Sequence, residues 1–118
     1  MLVVILVIFL GLIFIFIGIF LKSSKSEKKY DQAIEFFDEE KYKEALELFQ
    51  ELLAKESTNK LYNWYIGQCY ENLQNYELAI VEYNKVALST KFPAPINETE
   101  IHEKLAMMNL KIGNIKKA

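Results

Sequence analysis

His102 and Cys69 are the only histidine and the only cysteine in the chain, so the chemistry open to it is narrow. A general base needs a nucleophile or acid within hydrogen-bond reach. His102 has only Glu103 beside it on a surface-type helical stretch and reads as solvated. A single cysteine excludes an intrachain disulfide and a thiolate metal cluster. No His or Lys flanks Cys69 to lower its pKa, so it reads as a buried apolar thiol. Carboxylates crowd the span from Asp31 to Glu56, and paired carboxylates suit acid–base work or calcium. Here they recur at solvent-facing helical spacing with no liganding loop. No phosphate loop, dinucleotide fingerprint or metal-ligand spacing occurs. These residues point to no enzyme, no cofactor and no metal.

Recognition chemistry is better supplied. Trp64 and Tyr65 stand side by side, and Trp and Tyr are favoured anchors at protein interfaces. The elements that must position them repeat. Shifted by 34 residues, Ala33 falls on Gly67, Phe36 on Tyr70, Tyr42 on Tyr76, Ala45 on Ala79, Phe49 on Tyr83 and Leu52 on Val86. Small residues meet small ones and aromatics meet aromatics, without a gap. A period of this length marks stacked helical hairpins. Each unit reads as two amphipathic helices that approach most closely at Gly67 and Ala79, or at Ala33 and Ala45.

These residues resemble the tetratricopeptide repeat (TPR) family, carried by Ala33, Phe36, Tyr42, Ala45 and Phe49 in one unit and Gly67, Tyr70, Tyr76, Ala79 and Tyr83 in the next. Two departures stand out. Trp64 lies one residue nearer the glycine than the family's tryptophan, and the closing proline is absent from both units. The resemblance implies an all-α solenoid of about two and a half repeats behind an N-terminal helix. It also implies a concave groove lined by the first helices, which receives a peptide or a partner's helix. Tyr30, Ile34, Phe37, Trp64, Tyr65, Gln68 and Glu71 map to that groove, with Glu103 and Met107 continuing it. Chaperone-binding members grip a C-terminal carboxylate with lysine, asparagine and arginine at such positions. This chain has Tyr30, Ile34, Tyr65, Glu103 and Met107 there, so an acidic tail is not the expected ligand. An apolar or amphipathic peptide is. The competing reading of Trp64 and Tyr65 is that they only pack between repeats.

The totals mix two regions. The chain has 118 residues, a formal net charge of -2 and 52% hydrophobic content, yet Met1 to Leu21 contains no charged side chain. That stretch, residues 1–21, is long enough for a transmembrane helix at ~1.5 Å per residue across ~30 Å of hydrocarbon. It lacks the basic start, short apolar core and small-x-small site of a cleaved signal peptide. Residues 22–29 form a basic juxtamembrane tether. Its Lys22, Lys25, Lys28 and Lys29 keep the following domain in the cytoplasm by the positive-inside rule. The expected localisation is therefore a single-pass membrane protein. Lysines without any arginine, a near-neutral total and an acidic first unit argue against nucleic acid.

Repeat one occupies residues 27–57, with helices near Glu27–Glu39 and Tyr42–Lys55. Repeat two occupies 58–89, with helices near Lys60–Leu73 and Tyr76–Ser89; Ser57-Thr58-Asn59 supplies a cap for the first, and Asn75 is a candidate cap for the second. A Pro-containing loop, 90–97, follows, because Pro93 and Pro95 cannot continue a helix. Asn97 and Glu100 resemble a capping box, which accounts for Asn97-Glu98-Thr99 better than glycosylation does. Residues 98–118 are a partial third repeat or a capping helix, with Leu105-Ala106 at the small-residue point and a turn at Gly113-Asn114-Ile115.

The expected function is a membrane-anchored scaffold or adaptor that recruits a protein or peptide partner. The alternative is a structural module that self-associates into a homo-oligomer through its aromatic face. A third reading makes the chain the front of a longer array whose activity lies further on.

Overall fold

The computed structural model describes residues 1–117; the side chains of 21–26 and 117 lie outside the description. Five α-helices follow in order: α1 (Leu2–Asp38), α2 (Tyr42–Lys55), α3 (Lys60–Asn72), α4 (Tyr76–Ala87) and α5 (Glu98–Lys117). No strand occurs among the described residues. Each helix packs on the next in sequence, as the helices of stacked hairpins do.

The start of α1 stands apart from this stack. Leu2–Phe20 has a mean hydropathy of 3.5 with none of it buried, the one helix among the described residues long and apolar enough to cross a membrane. The backbone then stays helical through residues 22–29 and on to Asp38, where the sequence reading places a tether. The reason is local: that stretch contains neither Gly nor Pro, and serine, lysine and glutamate cost a helix only a few tenths of a kcal/mol each. The tether residues 22–26 lie outside the described side chains.

Both hairpins are closed by the same device, 34 residues apart. Glu40 and Gln74 each take φ 62, the left-handed conformation usual just beyond a helix C-terminus. In unit one, Lys41 N–H donates to Phe36 O at 2.8 Å and Glu40 N–H to Phe37 O at 3.0 Å. In unit two, Asn75 donates to Tyr70 O at 2.8 Å and Gln74 to Glu71 O at 3.0 Å. These paired bonds satisfy carbonyls that a helix end would otherwise leave open. At the next unit, Asn59 Oδ1 accepts from Leu61 N–H and starts α3. Asn75 begins α4 without a side-chain cap bond.

Two apolar clusters hold the stack together. One seals Ala33, Ala45, Phe49, Leu52, Tyr62, Ile66 and Cys69 between α1, α2 and α3. The other seals Trp64, Ala79, Tyr83, Val86, Ile101 and Met108 between α3, α4 and α5, with Ile96 of the loop. Half-buried Tyr70 touches both. The loop after α4 is thus pinned, since Phe92 and Ile96 pack onto the second cluster. Asn97 Oδ1 accepts from Thr99 N–H at 2.8 Å and opens α5.

The expected turn at Gly113-Asn114-Ile115 is not formed. Helix α5 continues through it to Lys117, and Gly113 keeps a negative φ. A β-carbon on Gly113 would meet nothing within 4 Å, so no packed neighbour forces the chain to turn there.

Candidate functional site

Tyr30, Ile34 and Phe37 stand at i, i+4 and i+7 on α1, which places them on one face. Tyr65 and Gln68 stand at i and i+3 on α3. The two faces meet through their rings. Tyr65 stacks on Phe49 with centroids 4.9 Å apart and planes 4° from parallel. It meets Phe37 edge-on at 5.4 Å and Tyr30 edge-on at 6.5 Å. Tyr30 also contacts Tyr62 at 6.1 Å, and Phe37 meets Tyr42 at 5.5 Å. Offset and edge-to-face pairs of this kind add about 0.5–1.5 kcal/mol each beyond burial.

All five residues are half-buried. They form an aromatic wall, packed on its inner side and open on its outer. Burial, and then the neighbouring Tyr65, push the Tyr30 phenol up to about 12, so Tyr30 carries no charge near neutral pH. Its polar edge is Gln68.

Two of the seven expected groove residues point elsewhere. Trp64 is 3% exposed and lies in the second cluster, 5.4 Å from the Tyr83 ring. Helix α5 covers it, and Lys104 Nζ sits 5.8 Å from its centroid. It cannot take a partner, because the third unit already buries it. The one-residue displacement of this tryptophan in the sequence is its cause: position 64 faces α4 and α5, and position 65 faces α1.

Glu71 is committed as well. It accepts from Tyr83 Oη at 2.8 Å and from Lys104 Nζ at 3.1 Å. This small network ties α3, α4 and α5 together, and Lys104 also lies 5.8 Å from the Tyr83 ring centroid. Desolvation and then the Glu71 carboxylate push the Tyr83 phenol upward. Sequence reasoning finds Glu71 and Tyr83 but misses Lys104, which sits 33 residues from its partner without a repeat equivalent to flag it. Of the two continuing positions, Glu103 is exposed and Met107 is 48% exposed.

The chemically reactive residues stay apart. Cys69 is buried, and desolvation pushes its thiol up to about 12. His102 Nε2 lies 3.8 Å from Glu98, with most of the imidazole in solvent. Among the described residues, no group of His, Cys, Asp and Glu is placed to hold a metal ion.

A family model described as tetratricopeptide repeat matches residues 30–94, more than half of the chain. No curated protein and no solved structure matches it.

Proposed function

Because the chain belongs to the tetratricopeptide repeat family, we propose that it is a membrane-anchored protein-interaction module, recruiting a partner protein or peptide to the face built by Tyr30, Ile34, Phe37, Tyr65 and Gln68. Repeats of this family generally serve as interaction domains that are not themselves enzymes. The observation that carries the reading is the packing of Tyr65 between Phe49, Phe37 and Tyr30. Rings held this way lose little freedom on binding, which lowers the entropic cost of association. Their apolar, uncharged character favours an apolar or amphipathic peptide.

Anchoring is supported by Leu2–Phe20, whose 19 residues are wholly unburied by the rest of the chain. A helix of that length covers roughly the ~30 Å hydrocarbon thickness. The lysines that follow it favour a cytoplasmic domain. Because α1 runs unbroken from the apolar stretch into the first repeat, one helix sets the height and tilt of the binding face over the bilayer. Confinement there raises the effective concentration of whatever is held.

A photo-crosslinking residue at Gln68, in intact membranes, tests this reading, with Glu47 on the exposed side of α2 as the control position. A discrete adduct from Gln68 that Ile34→Glu abolishes, with melting unchanged, supports it. Equal adducts from both positions, or none, contradict it.

A further inference from the structure

The hairpins hold their open ends on the side of the array from which α1 emerges. Tyr30 of α1 lies beside Tyr62 of α3, with ring centroids 6.1 Å apart, and Asn63 donates to Glu82 of α4 at 2.9 Å. Tyr30, Asn63 and Glu82 therefore mark one level in the stack. From that level α1 runs back ten residues to Phe20, the end of its apolar stretch, or ~15 Å at ~1.5 Å per residue. Helix α4 turns back on α3 and so runs toward the same side. It covers six residues from Glu82 to Leu88, or ~9 Å. Leu88 thus stands ~6 Å along the α1 axis from the end of the apolar stretch, within the about 5–8 Å of headgroup on each side of the hydrocarbon.

The end that reaches this depth is apolar and fixed. Leu88 is 84% exposed, the most exposed large apolar side chain described after Phe20. Ala94 and Pro95 of the loop that follows are exposed as well, and Pro93 is half-buried. The loop is held in place because Phe92 and Ile96 pack onto the second cluster. Its backbone suits a poorly hydrated layer. Leu88 N–H donates to Asn84 O at 3.1 Å, Ser89 N–H to Val86 O at 3.0 Å and Ile96 N–H to Pro93 O at 2.9 Å, and Pro93 and Pro95 have no N–H to satisfy. Repeats add sideways, so this end is exposed however many units the array holds.

We propose that residues 88–95 form a second membrane contact, resting their apolar surface in the headgroup layer of the bilayer that holds Leu2–Phe20. The proposal rests on the anchoring reading given above. A single span leaves the array free to rotate and tilt over the bilayer. A second contact fixes both, and with them the direction in which the Tyr30–Tyr65 face looks. Lys91 is exposed within the loop, but Glu98 and Glu100 are exposed at the start of α5. Apolar insertion, and not attraction to anionic lipid, therefore holds the contact.

The test uses the full chain carrying Leu88→Cys, labelled on that cysteine with the fluorophore NBD and reconstituted into phosphatidylcholine liposomes containing nitroxide-labelled lipid. Cys69 is buried, and the unsubstituted chain gives the labelling background. Glu77→Cys, exposed at the other end of α4 and ~16 Å away, is the control position. The Leu88 probe should emit to the blue of the Glu77 probe and be quenched several-fold more by the lipid nitroxide. A probe at Ala94→Cys should match it and lose that quenching when Leu88→Asp is added; both positions are exposed, so the melting transition should not move. If the chain floats with the liposomes after an alkaline wash but the Leu88 and Glu77 probes are quenched equally, the contact is overturned and the anchor stands. A chain that does not float overturns both. Quenching at Ala94 that survives Leu88→Asp overturns Leu88 as the inserting residue.

Discussion

A β-carbon placed on Gly67 would stand 2.7 Å from Cε1 and 2.9 Å from Cδ1 of Tyr83, so the tyrosine ring fills the space that any other side chain at this point would need. The ring has little room to move. It is fully buried, and its hydroxyl is held by Glu71 at 2.8 Å. Unit one solves the same contact with Ala33 and Phe49, a pair with a β-carbon and no hydroxyl to anchor.

Gly67→Ala should therefore destabilise the fold although alanine is the better helix former. The propensity gain is about 1 kcal/mol, against about 1–3 kcal/mol for overpacking a closed site. Gly113→Ala is the matched control, since nothing lies within 4 Å of its β-carbon, and it should raise stability by up to about 1 kcal/mol. Thermal melts followed by circular dichroism in detergent micelles should move in opposite directions for the two variants.

Glu40→Gly and Gln74→Gly should each stabilise the fold. A left-handed backbone costs a residue with a β-carbon roughly 1–2 kcal/mol, and glycine's extra unfolded-state freedom returns part of that. The expected net gain is about 0.5–1 kcal/mol per site. Unchanged or lowered melting in both variants contradicts the left-handed caps.

Removing the Glu71 carboxylate should be costly. Glu71→Ala leaves the buried Tyr83 hydroxyl and Lys104 without their partner, at about 1–3 kcal/mol. Glu71→Gln keeps an acceptor for the hydroxyl and loses the ion pair, so its cost should be smaller. Equal losses for the two variants would mean that the charge, and not the hydrogen bond, holds the three helices.

Alkaline pH should loosen the fold from about pH 9 upward. The Cys69 thiol is pushed from 9.0 to about 12 by burial, and Tyr30 from 10.0 to about 12. Between each pair of values the unfolded chain has released a proton that the folded chain keeps. The folded state is then penalised as pH rises, with the full stability present only below the lower value. Melting temperature should decline above pH 9, and Cys69→Ala should move the onset toward 10, where the tyrosines take over. At pH 8 a thiol reagent should label Cys69 only on unfolding; rapid labelling of the folded chain contradicts its burial.

Much of this architecture was legible because the 34-residue spacing ties local pattern to packing. Ala33, Gly67, Ala45 and Ala79 are all buried where the period places them, and the hinge Ser57-Thr58-Asn59 supplies the cap of α3 through Asn59. Three features were not legible. The turns rest on Glu40 and Gln74, which are not the glycine or asparagine that usually advertises a left-handed cap. Gly113 has that residue type at the equivalent position and yet stays helical. The sequence leaves Trp64 open between lining the groove and packing between repeats, and the packing of α5 across it places it in the core. Whether an aromatic side chain is exposed depends on what the next unit covers, which periodicity alone does not encode.

The account rests on the first repeat growing directly out of an apolar helix that is kept in the mature chain. Intact-mass measurement of the protein recovered from alkaline-washed membranes tests this most directly. The account predicts that the species in the membrane pellet retains Met1–Leu21. A species shortened by about twenty residues and released into the wash would contradict it.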